Sequence, residues 1–251
     1  MTRILEDNQS FTDARFNYLR GVRCFPGEQI LEYALIREET RGKRFYIAGI
    51  ERMYRVQSTL LNLFWRLGEY RETLKQDEMA RFAASLLDTN LSYQELVSLF
   101  AYLSGGEEFH LNTKEVPLEI ARRGRDQKLL VKPNRARIIY KEVEENLRAG
   151  RLKTDLFDIQ VLNGTETSGL ARRIKQFFQD RGMRVLDADN YAYKPLAKSF
   201  IVARSGDTHA AARLAEISGV DRSRVVFKRM ALDVDVTFVL GDDFSTRQLS
   251  L

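Results

Sequence analysis

Arg52 and Arg55 have the side chains and the spacing that suit the binding of one anion. Residues three apart on a helix lie one turn from each other on the same side, so two guanidinium groups can contact a single phosphate or carboxylate. The alternative is a basic helix face in contact with water, and without further information this is the simpler interpretation.

A second candidate site is the turn Asn163-Gly164-Thr165. Asn-Gly tolerates the positive φ of a tight turn, and Thr165, Thr167 or Ser168 can cap the helix that follows. The N–H groups exposed at such a helix start also suit a phosphate or a carboxylate. Turn and capping chemistry without a ligand is the alternative.

The sequence contains few residues that could bind a transition metal or react as a thiol. Cys24 is the only cysteine, and His110 and His209 are the only histidines. A single cysteine excludes an internal disulfide and any multi-cysteine metal site. A zinc or iron centre would need mostly carboxylate ligands, and no suitable cluster is visible. The residues alone therefore predict no metal site and no catalytic residue.

The composition is that of a globular protein with a mildly basic surface. Of the 251 residues, 44% are apolar and 30% charged, and the net charge is +5, with an isoelectric point near 9.3. The basic balance suits nucleic acid, a phospholipid headgroup or a phosphate-bearing glycopolymer, although acids are interleaved with the bases almost everywhere. No apolar run reaches the ~20 residues of a membrane span. The first ten residues do not form a signal peptide, so no targeting segment is expected.

Hydrophobic spacing predicts a mostly helical first half. The predicted helices cover 28–37, 47–67, 78–87, 93–103 and 134–147, the predicted strands 16–19 and 109–113, and a basic loop 122–128. Apolar residues of the longest helix recur at three- and four-residue steps and predict a buried apolar stripe: Met53, Val56, Leu60, Leu63, Phe64 and Leu67. Arg52 and Arg55 lie off this stripe.

After a short polar segment at 150–154 the pattern changes to alternating strands and helices. The predicted strands cover 157–161, 184–188, 199–203, 224–228 and 234–240, and the predicted helices 168–180 and 209–218. Two helices over one face of a small sheet would bury the apolar positions of both. We therefore predict an α/β (α+β) chain with two domains, residues 1–150 and 155–245.

Both ends of the second domain resemble a known family. The segment Val161-Leu162-Asn163-Gly164-Thr165, followed by Ser168-Gly169-Leu170-Ala171, resembles the V-x-N-G-T turn and helix that open the LytR C-terminal domain. Residues 233–244 resemble the closing strand of that domain and its L-G-x-D-F signature. The resemblance implies a small sheet with two helices, of a type found on bacterial cell-envelope proteins.

The first half then resembles the C-terminal part of the LytR-CpsA-Psr catalytic domain, which ends in a mostly helical region. Residues 21–33 are similar to its G-x-x-x-L-x-G-E-Q-A-L-x-Y segment. Arg37 matches the second arginine of its Y-x-R-x-R motif, and Arg52, Arg55 and Gln57 match its R-x-x-R-Q-Q motif. Arginines of that family clamp a pyrophosphate, so the resemblance implies that these four residues form part of such a clamp.

Members of that family transfer a phosphate-linked glycopolymer from a polyprenyl pyrophosphate carrier onto peptidoglycan, assisted by an acid and a divalent cation. The resemblance thus implies a cell-envelope location, peptidoglycan or the polyprenyl-linked glycopolymer as partner, and Mg²⁺ as a family cofactor. However, Leu35 and Val56 replace an arginine and a glutamine of the motifs, and the family's earlier acid and arginine motifs and membrane anchor are not in this sequence. We therefore expect a relative of the phosphotransferases that binds without completing the transfer, and membrane association only with an upstream anchor.

Two other classes of function stay open. A nucleic-acid-binding regulator would agree with the basic isoelectric point, but no helix-turn-helix spacing, RNP-type strand or concentrated basic stripe is visible, so no nucleic acid is expected. The other class is a structural interaction module without a ligand. An in-frame upstream extension that encodes a membrane helix and the missing motifs would favour the enzyme.

Overall fold

The computed structural model describes residues 2–6, 21–35, 45–67, 78, 81–82, 85, 89–105, 118–123, 126–148, 156–230 and 233–244. The strands predicted at 16–19 and 109–113 lie outside these residues. The first half contains β1 (Thr2–Glu6), β2 (Gly21–Phe25), α1 (Gly27–Leu35), α2 (Phe45–Leu67), α3 (Tyr93–Gly105), β3 (Leu118–Arg123), β4 (Asp126–Val131) and α4 (Pro133–Arg148). The second half contains β5 (Asp158–Asn163), α5 (Leu170–Gln179), β6 (Arg184–Asn190), β7 (Phe200–Ala203), α6 (Thr208–Ser218), β8 (Val225–Phe227) and β9 (Val236–Leu240).

Local sequence explains how α3 begins. Ser92 Oγ accepts the Glu95 N–H at 3.3 Å, and the Glu95 carboxylate accepts the Ser92 N–H at 2.7 Å. This reciprocal pair satisfies two of the N–H groups that a helix start leaves without a partner. The sequence offers Asn90 or Ser92 as the cap of this helix, and the structure selects Ser92.

The basic loop predicted at 122–128 is wrong for residues 122–123 and 126–128, which lie in the antiparallel pair of β3 and β4, whereas residues 124–125 lie outside the described residues. Leu118 lies opposite Val131 and Ile120 opposite Leu129, and the strands end where Arg123 faces Asp126. The two apolar pairs share one face of the hairpin, because every second side chain of a strand points to the same side. The arginines and Lys128 beside them concealed the two strands in the sequence.

The second half forms one five-stranded mixed sheet in the order β6-β5-β9-β7-β8. Strand β5 is parallel to both β6 and β9, whereas β7 is antiparallel to β9 and parallel to β8. Helices α5 and α6 bury Ile174, Phe178 and Leu214 in the same core as Ile159, Val161 and Phe238 of the sheet. The predicted α/β (α+β) fold, with two helices against a small sheet, is confirmed.

Helix α2 has the predicted extent, but its predicted buried stripe is wrong. Met53, Leu60 and Leu63 are 37%, 49% and 41% exposed. Val56 and Phe64 of the same stripe are half-buried. Among residues 52–66, whose side chains the structure describes, those less than a tenth exposed are mostly polar: Arg55, Ser58, Thr59, Leu61 and Asn62. The face that a period of 3.6 residues marks as apolar is therefore not the face that packs.

The reason is that α2 packs against β8, an edge strand with backbone groups that need partners. Asn62 accepts the N–H of Phe227 with its Oδ1 at 2.9 Å and donates from Nδ2 to the Phe227 carbonyl at 2.8 Å. Ser58 Oγ accepts the N–H of Arg229 at 2.8 Å. The Trp65 and Phe227 rings lie 5.4 Å apart, and Leu61 joins the core of the sheet. Thus α2 covers the β8 edge and connects the two predicted domains, whose boundary stays a prediction.

Candidate functional site

Two arginines of the predicted clamp lie on α2 in different environments. Arg52 is half-buried, whereas Arg55, one turn later, is 5% exposed. Arg37 lies outside the described residues. A buried guanidinium interacts more strongly with a nearby anion because the local dielectric is lower than that of water. The structure therefore brings Arg52 and Arg55 onto neighbouring turns of one helix, with Arg52 the more accessible of the two.

Gln57, the fourth residue of the predicted clamp, contacts an arginine that the sequence did not indicate. Its Oε1 accepts a hydrogen bond from Nε of Arg229 at 3.3 Å. Arg229 is 7% exposed, and its guanidinium carbon lies 5.9 Å from the centroid of the Tyr54 ring. Since 172 residues separate Arg229 from Gln57, no motif could connect them before the docking of α2 on β8 was known.

The turn Asn163-Gly164-Thr165 is buried and makes its hydrogen bonds within the protein. Asn163 Oδ1 accepts the N–H of Thr165 at 3.0 Å and its hydroxyl at 2.8 Å. Thr165 Oγ1 in turn accepts the N–H of Thr167 at 3.1 Å. These contacts stabilise the turn itself. The predicted side-chain cap of α5 is wrong, because Gly169 occupies the N-cap position and no side chain accepts a hydrogen bond from the first turn of the helix. The anion-binding role of the turn stays a prediction.

Two glycines allow the ends of β5 and β9 to pass close to neighbouring backbone. A Cβ atom at Gly164 would lie 2.6 Å from the carbonyl oxygen of Leu240, and one at Gly241 would lie 2.4 Å from the carbonyl carbon of Lys198. Neither glycine is among those with positive φ. The explanation of Gly164 by positive φ is therefore wrong, since close packing is what requires the missing side chain.

A polar cluster forms where the chain leaves β9. Asp243 Oδ1 accepts the N–H of Ser199 at 2.6 Å and its hydroxyl at 2.8 Å, and Asp243 Oδ2 accepts Arg224 Nη1 at 2.6 Å. Burial raises the pKa of the Asp243 carboxyl, but the hydrogen bonds from Ser199 and the Arg224 charge together bring the pKa below its usual value. The Lys198 ammonium lies 3.8 Å from the same Oδ2. Two cations thus converge on one carboxylate held by Ser199.

The residues that the structure describes offer no site suited to the Mg²⁺ that the resemblance implied. Within the described ranges, no three His, Cys, Asp or Glu side chains are grouped closely enough to hold a metal ion. Magnesium prefers carboxylate and water oxygens, and Asp243 already accepts hydrogen bonds from Ser199 and Arg224. Among the same described residues, no helix has both the length and the apolar character needed to cross a bilayer.

The comparisons with known proteins agree with part of these expectations. Residues 157–244 match the family described as LytR cell envelope-related transcriptional attenuator. No curated protein matches the chain. Among solved structures, the soluble domain of a conserved hypothetical secreted protein from Mycobacterium marinum is similar at 19% identity and a TM-score of 0.32, covering 39% of this chain and 70% of that one.

The family match and the five-stranded sheet cover the same part of the molecule. The matched residues begin just before β5 and end at Phe244, after the Asp243 cluster. No comparison supports the LytR-CpsA-Psr catalytic part in residues 1–150. The match at residues 157–244 indicates a LytR C-terminal domain and, with it, a cell-envelope protein.

Proposed function

We propose that this protein acts in the bacterial cell envelope, in the attachment of phosphate-linked glycopolymers to peptidoglycan. In this proposal it binds the polyprenyl-pyrophosphate-linked polymer or peptidoglycan and does not itself complete the transfer. The observation that carries the proposal is the match of residues 157–244 to a family described as cell envelope-related. The resemblance of the first half to the LytR-CpsA-Psr domain supplies the substrate class.

The surroundings of α2 support an anionic ligand. Arg52 and Arg55 lie on neighbouring turns, and Arg229 approaches the same helix at Gln57. Charge-assisted hydrogen bonds from guanidinium groups to phosphate oxygens are stronger than neutral ones and are often bidentate. An anion beside Arg52 would therefore have several cationic donors within one helical segment.

Binding without transfer follows from the groups that catalysis of phosphoryl transfer needs. Such catalysis depends on positioned cations that stabilise charge in the transition state, usually with a divalent metal ion. Leu35 and Val56 stand where the resembled motifs have an arginine and a glutamine. The described residues also offer no carboxylate cluster for a metal ion. We therefore assign binding, and not turnover, to this chain.

Titration with a soluble polyprenyl pyrophosphate analogue tests the proposal. The Arg52→Gln variant should bind at least tenfold more weakly than wild type, because each lost charge-assisted contact contributes about 1.5–3 kcal/mol. Arg66→Gln, at the other end of the same helix, is the matched control and should bind as wild type does. Because Arg55 is buried, Arg55→Gln is interpreted only if its thermal transition matches that of wild type.

Two further assays separate the alternatives. A peptidoglycan-ligation assay with this chain alone should give no product, and product formation would overturn the assignment of binding without turnover. A DNA duplex of equal phosphate concentration should bind more weakly than the lipid analogue. Equal affinity of Arg52→Gln and wild type for the analogue would leave a solvated basic face as the explanation of these arginines.

A further inference from the structure

A cleft of about 240 Å³ opens beside the Asp243 cluster, between the end of α6 and the segment that follows β9. Lys198, Ser199, Asp221, Arg224 and Asp243 all line it. Asp243 is the aspartate of the L-G-x-D-F signature, and the other four residues were not singled out from the sequence. The cleft lies away from Arg52 and Arg55. On α2, Arg55 lies ten residues, or ~15 Å of helix, before Trp65. The Trp65 ring contacts the Arg222 guanidinium, which is near this cleft.

The Arg224 guanidinium is held in one orientation. Asp243 Oδ2 accepts its Nη1 at 2.6 Å, and Oδ1 of the same carboxylate is fixed by the backbone N–H and the hydroxyl of Ser199. A guanidinium has five N–H donors in a planar fork. Since one donor goes to Asp243 and the Arg224 side chain is 32% exposed, the others are available at the cleft.

Lys198 adds a second, mobile cation on the same side of Asp243. Its ammonium is 3.8 Å from Oδ2, and its side chain is 66% exposed. An exposed lysine loses little by turning from Asp243 to a ligand, because exposed ion pairs contribute little to stability. A rigid arginine and an adaptable lysine together suit recognition of an oxyanion.

The charges of the cleft limit how negative that oxyanion should be. Lys198 and Arg224 are balanced by Asp221 and Asp243, so the lining carries no net charge. A multiply charged anion such as pyrophosphate would gain the contact with Arg224 but would be repelled by both carboxylates. Directed hydrogen bonds to a singly charged group are the better match, as a phosphodiester or a carboxylate would make.

The size of the surroundings indicates that the oxyanion belongs to a larger molecule. A second cleft of about 480 Å³ adjoins the first, and the two share Gly219, Val220 and Asp221. Ala212, Ala215 and Val220 line it together with charged side chains. Apolar and polar groups side by side suit an organic substituent next to the charged group.

We propose that the cleft of Lys198, Ser199, Arg224 and Asp243 binds a singly charged oxyanion, a phosphodiester or a carboxylate, carried on a larger molecule that extends along the end of α6. The contacts do not depend on the proposed function, but the source of the oxyanion does: a phosphate-linked polymer would supply the phosphodiester, and peptidoglycan the carboxylate.

Nuclear magnetic resonance titration of the full chain tests the site with defined probes: dimethyl phosphate, acetate, inorganic pyrophosphate and a poly(glycerol phosphate). Dimethyl phosphate or acetate should shift the amide signals of Ser199, Arg224 and Gly241. Pyrophosphate should bind at this cleft no more tightly than dimethyl phosphate. Tight binding of the polymer but not of a peptidoglycan fragment would identify the phosphodiester as the ligand, and the reverse result the carboxylate.

Variants decide whether these residues are responsible. Arg224→Lys keeps a cation opposite Asp243, and therefore the fold, but removes the fork, so affinity for the preferred probe should fall at least tenfold. Lys198→Gln should lower affinity by a smaller factor, and Arg172→Gln, an exposed residue of α5, should leave it unchanged. Wild-type affinity in Arg224→Lys, or equal weakening by Arg172→Gln, would overturn the site. Arg52→Gln leaves this cleft intact. Loss of lipid-analogue binding in Arg52→Gln therefore tests the proposed function, and loss of oxyanion binding in Arg224→Lys tests the cleft.

Discussion

Two adjacent phenylalanines of α5 differ in how much of their side chain the protein buries. Phe178 is fully buried between α5 and the sheet, whereas Phe177 is only partly buried and lies under the Arg181 guanidinium, 3.6 Å from its centroid. In the sequence, their spacing from Leu170, Ala171 and Ile174 predicts that both rings face inward, and for Phe177 this holds only in part. The helix can present only one of two consecutive side chains to the centre of the core, because they are 100° apart.

Phe178→Ala should therefore lower the free energy of unfolding by about 3–5 kcal/mol, because it leaves a cavity in a closed core. Phe177→Ala should lower it by about 1–2 kcal/mol, because its site is open to water on one side. Urea unfolding of both variants measures the difference. Equal effects would mean that the burial of the two rings has been assigned wrongly.

Asp243 gives the C-terminal sheet a dependence on pH. Its carboxyl pKa is raised by burial and lowered more by Ser199 and Arg224, so the folded-state pKa lies below the usual 3.8. A carboxyl group with a lowered pKa stabilises the fold above its unfolded pKa, and this contribution is lost as the pH falls through the folded-state value.

Asp243→Asn should consequently be less stable than wild type at neutral pH, and the difference should shrink as the pH falls below about 4. Urea midpoints at several pH values between neutral and acidic conditions show this directly. Asp242→Asn, at the exposed neighbouring position, controls for the change in net charge. A difference that stays constant over the whole range would show that the ionised carboxylate of Asp243 does not stabilise the fold.

At the scale of elements, the most informative comparison is between two neighbouring residues of α2. Asn62 is 4% exposed and bonds both the N–H and the carbonyl of Phe227, whereas Leu63 is 41% exposed. Hydrophobicity alone would rank Leu63 as the more important residue. The structure predicts the opposite order.

Asn62→Leu should destabilise the protein by ~1–3 kcal/mol for each backbone group of Phe227 left without a partner. The reverse exchange one position later, Leu63→Asn, should change stability by less than about 0.5 kcal/mol, as expected for an exposed site. Thermal and urea unfolding compare the two. A larger loss in Leu63→Asn than in Asn62→Leu would contradict the docking of α2 on β8.

The sequence predicted where most elements lie, because the period of apolar residues distinguishes helices from strands. The helix expected at 47–67 is observed at Phe45–Leu67, and the strand expected at 184–188 at Arg184–Asn190. Which face of α2 packs was not predictable, since that depends on the unpaired groups of a strand far along the chain. Arg229 and Arg224 were missed for the same reason: each acquires its partner only through tertiary contact.

At the scale of the whole molecule, the predicted domain boundary implies that residues 156–244 fold alone, but the structure shows that α2 contributes to their core and to the edge of their sheet. The five strands and two helices close on one another, but α2 supplies Leu61 to the core and covers the outer edge of β8. An uncovered strand edge is available for pairing with another chain. The expressed segment 156–244 should therefore unfold cooperatively but self-associate.

Sedimentation of segment 156–244 over a range of concentrations measures this association. A synthetic peptide of residues 45–67 should suppress it and raise the midpoint of thermal unfolding, and the same peptide with Asn62→Leu should do neither. A non-cooperative transition would count against the domain boundary. A monomer at all concentrations, unaffected by the peptide, would show that the β8 edge does not need α2.

The distance along the chain between Asn62 and Phe227, 165 residues, has a consequence for the order of events during synthesis. At ~5–20 residues per second, the ribosome would make β8 roughly 8–33 seconds after α2. During that interval the face of α2 that later contacts β8, with Ser58, Leu61, Asn62 and Trp65, has no strand to pack against. Until β8 is made, Ser58 and Asn62 can form hydrogen bonds with water, so the polar part of this face stays solvated and only Leu61 and Trp65 leave apolar surface there without its later partner.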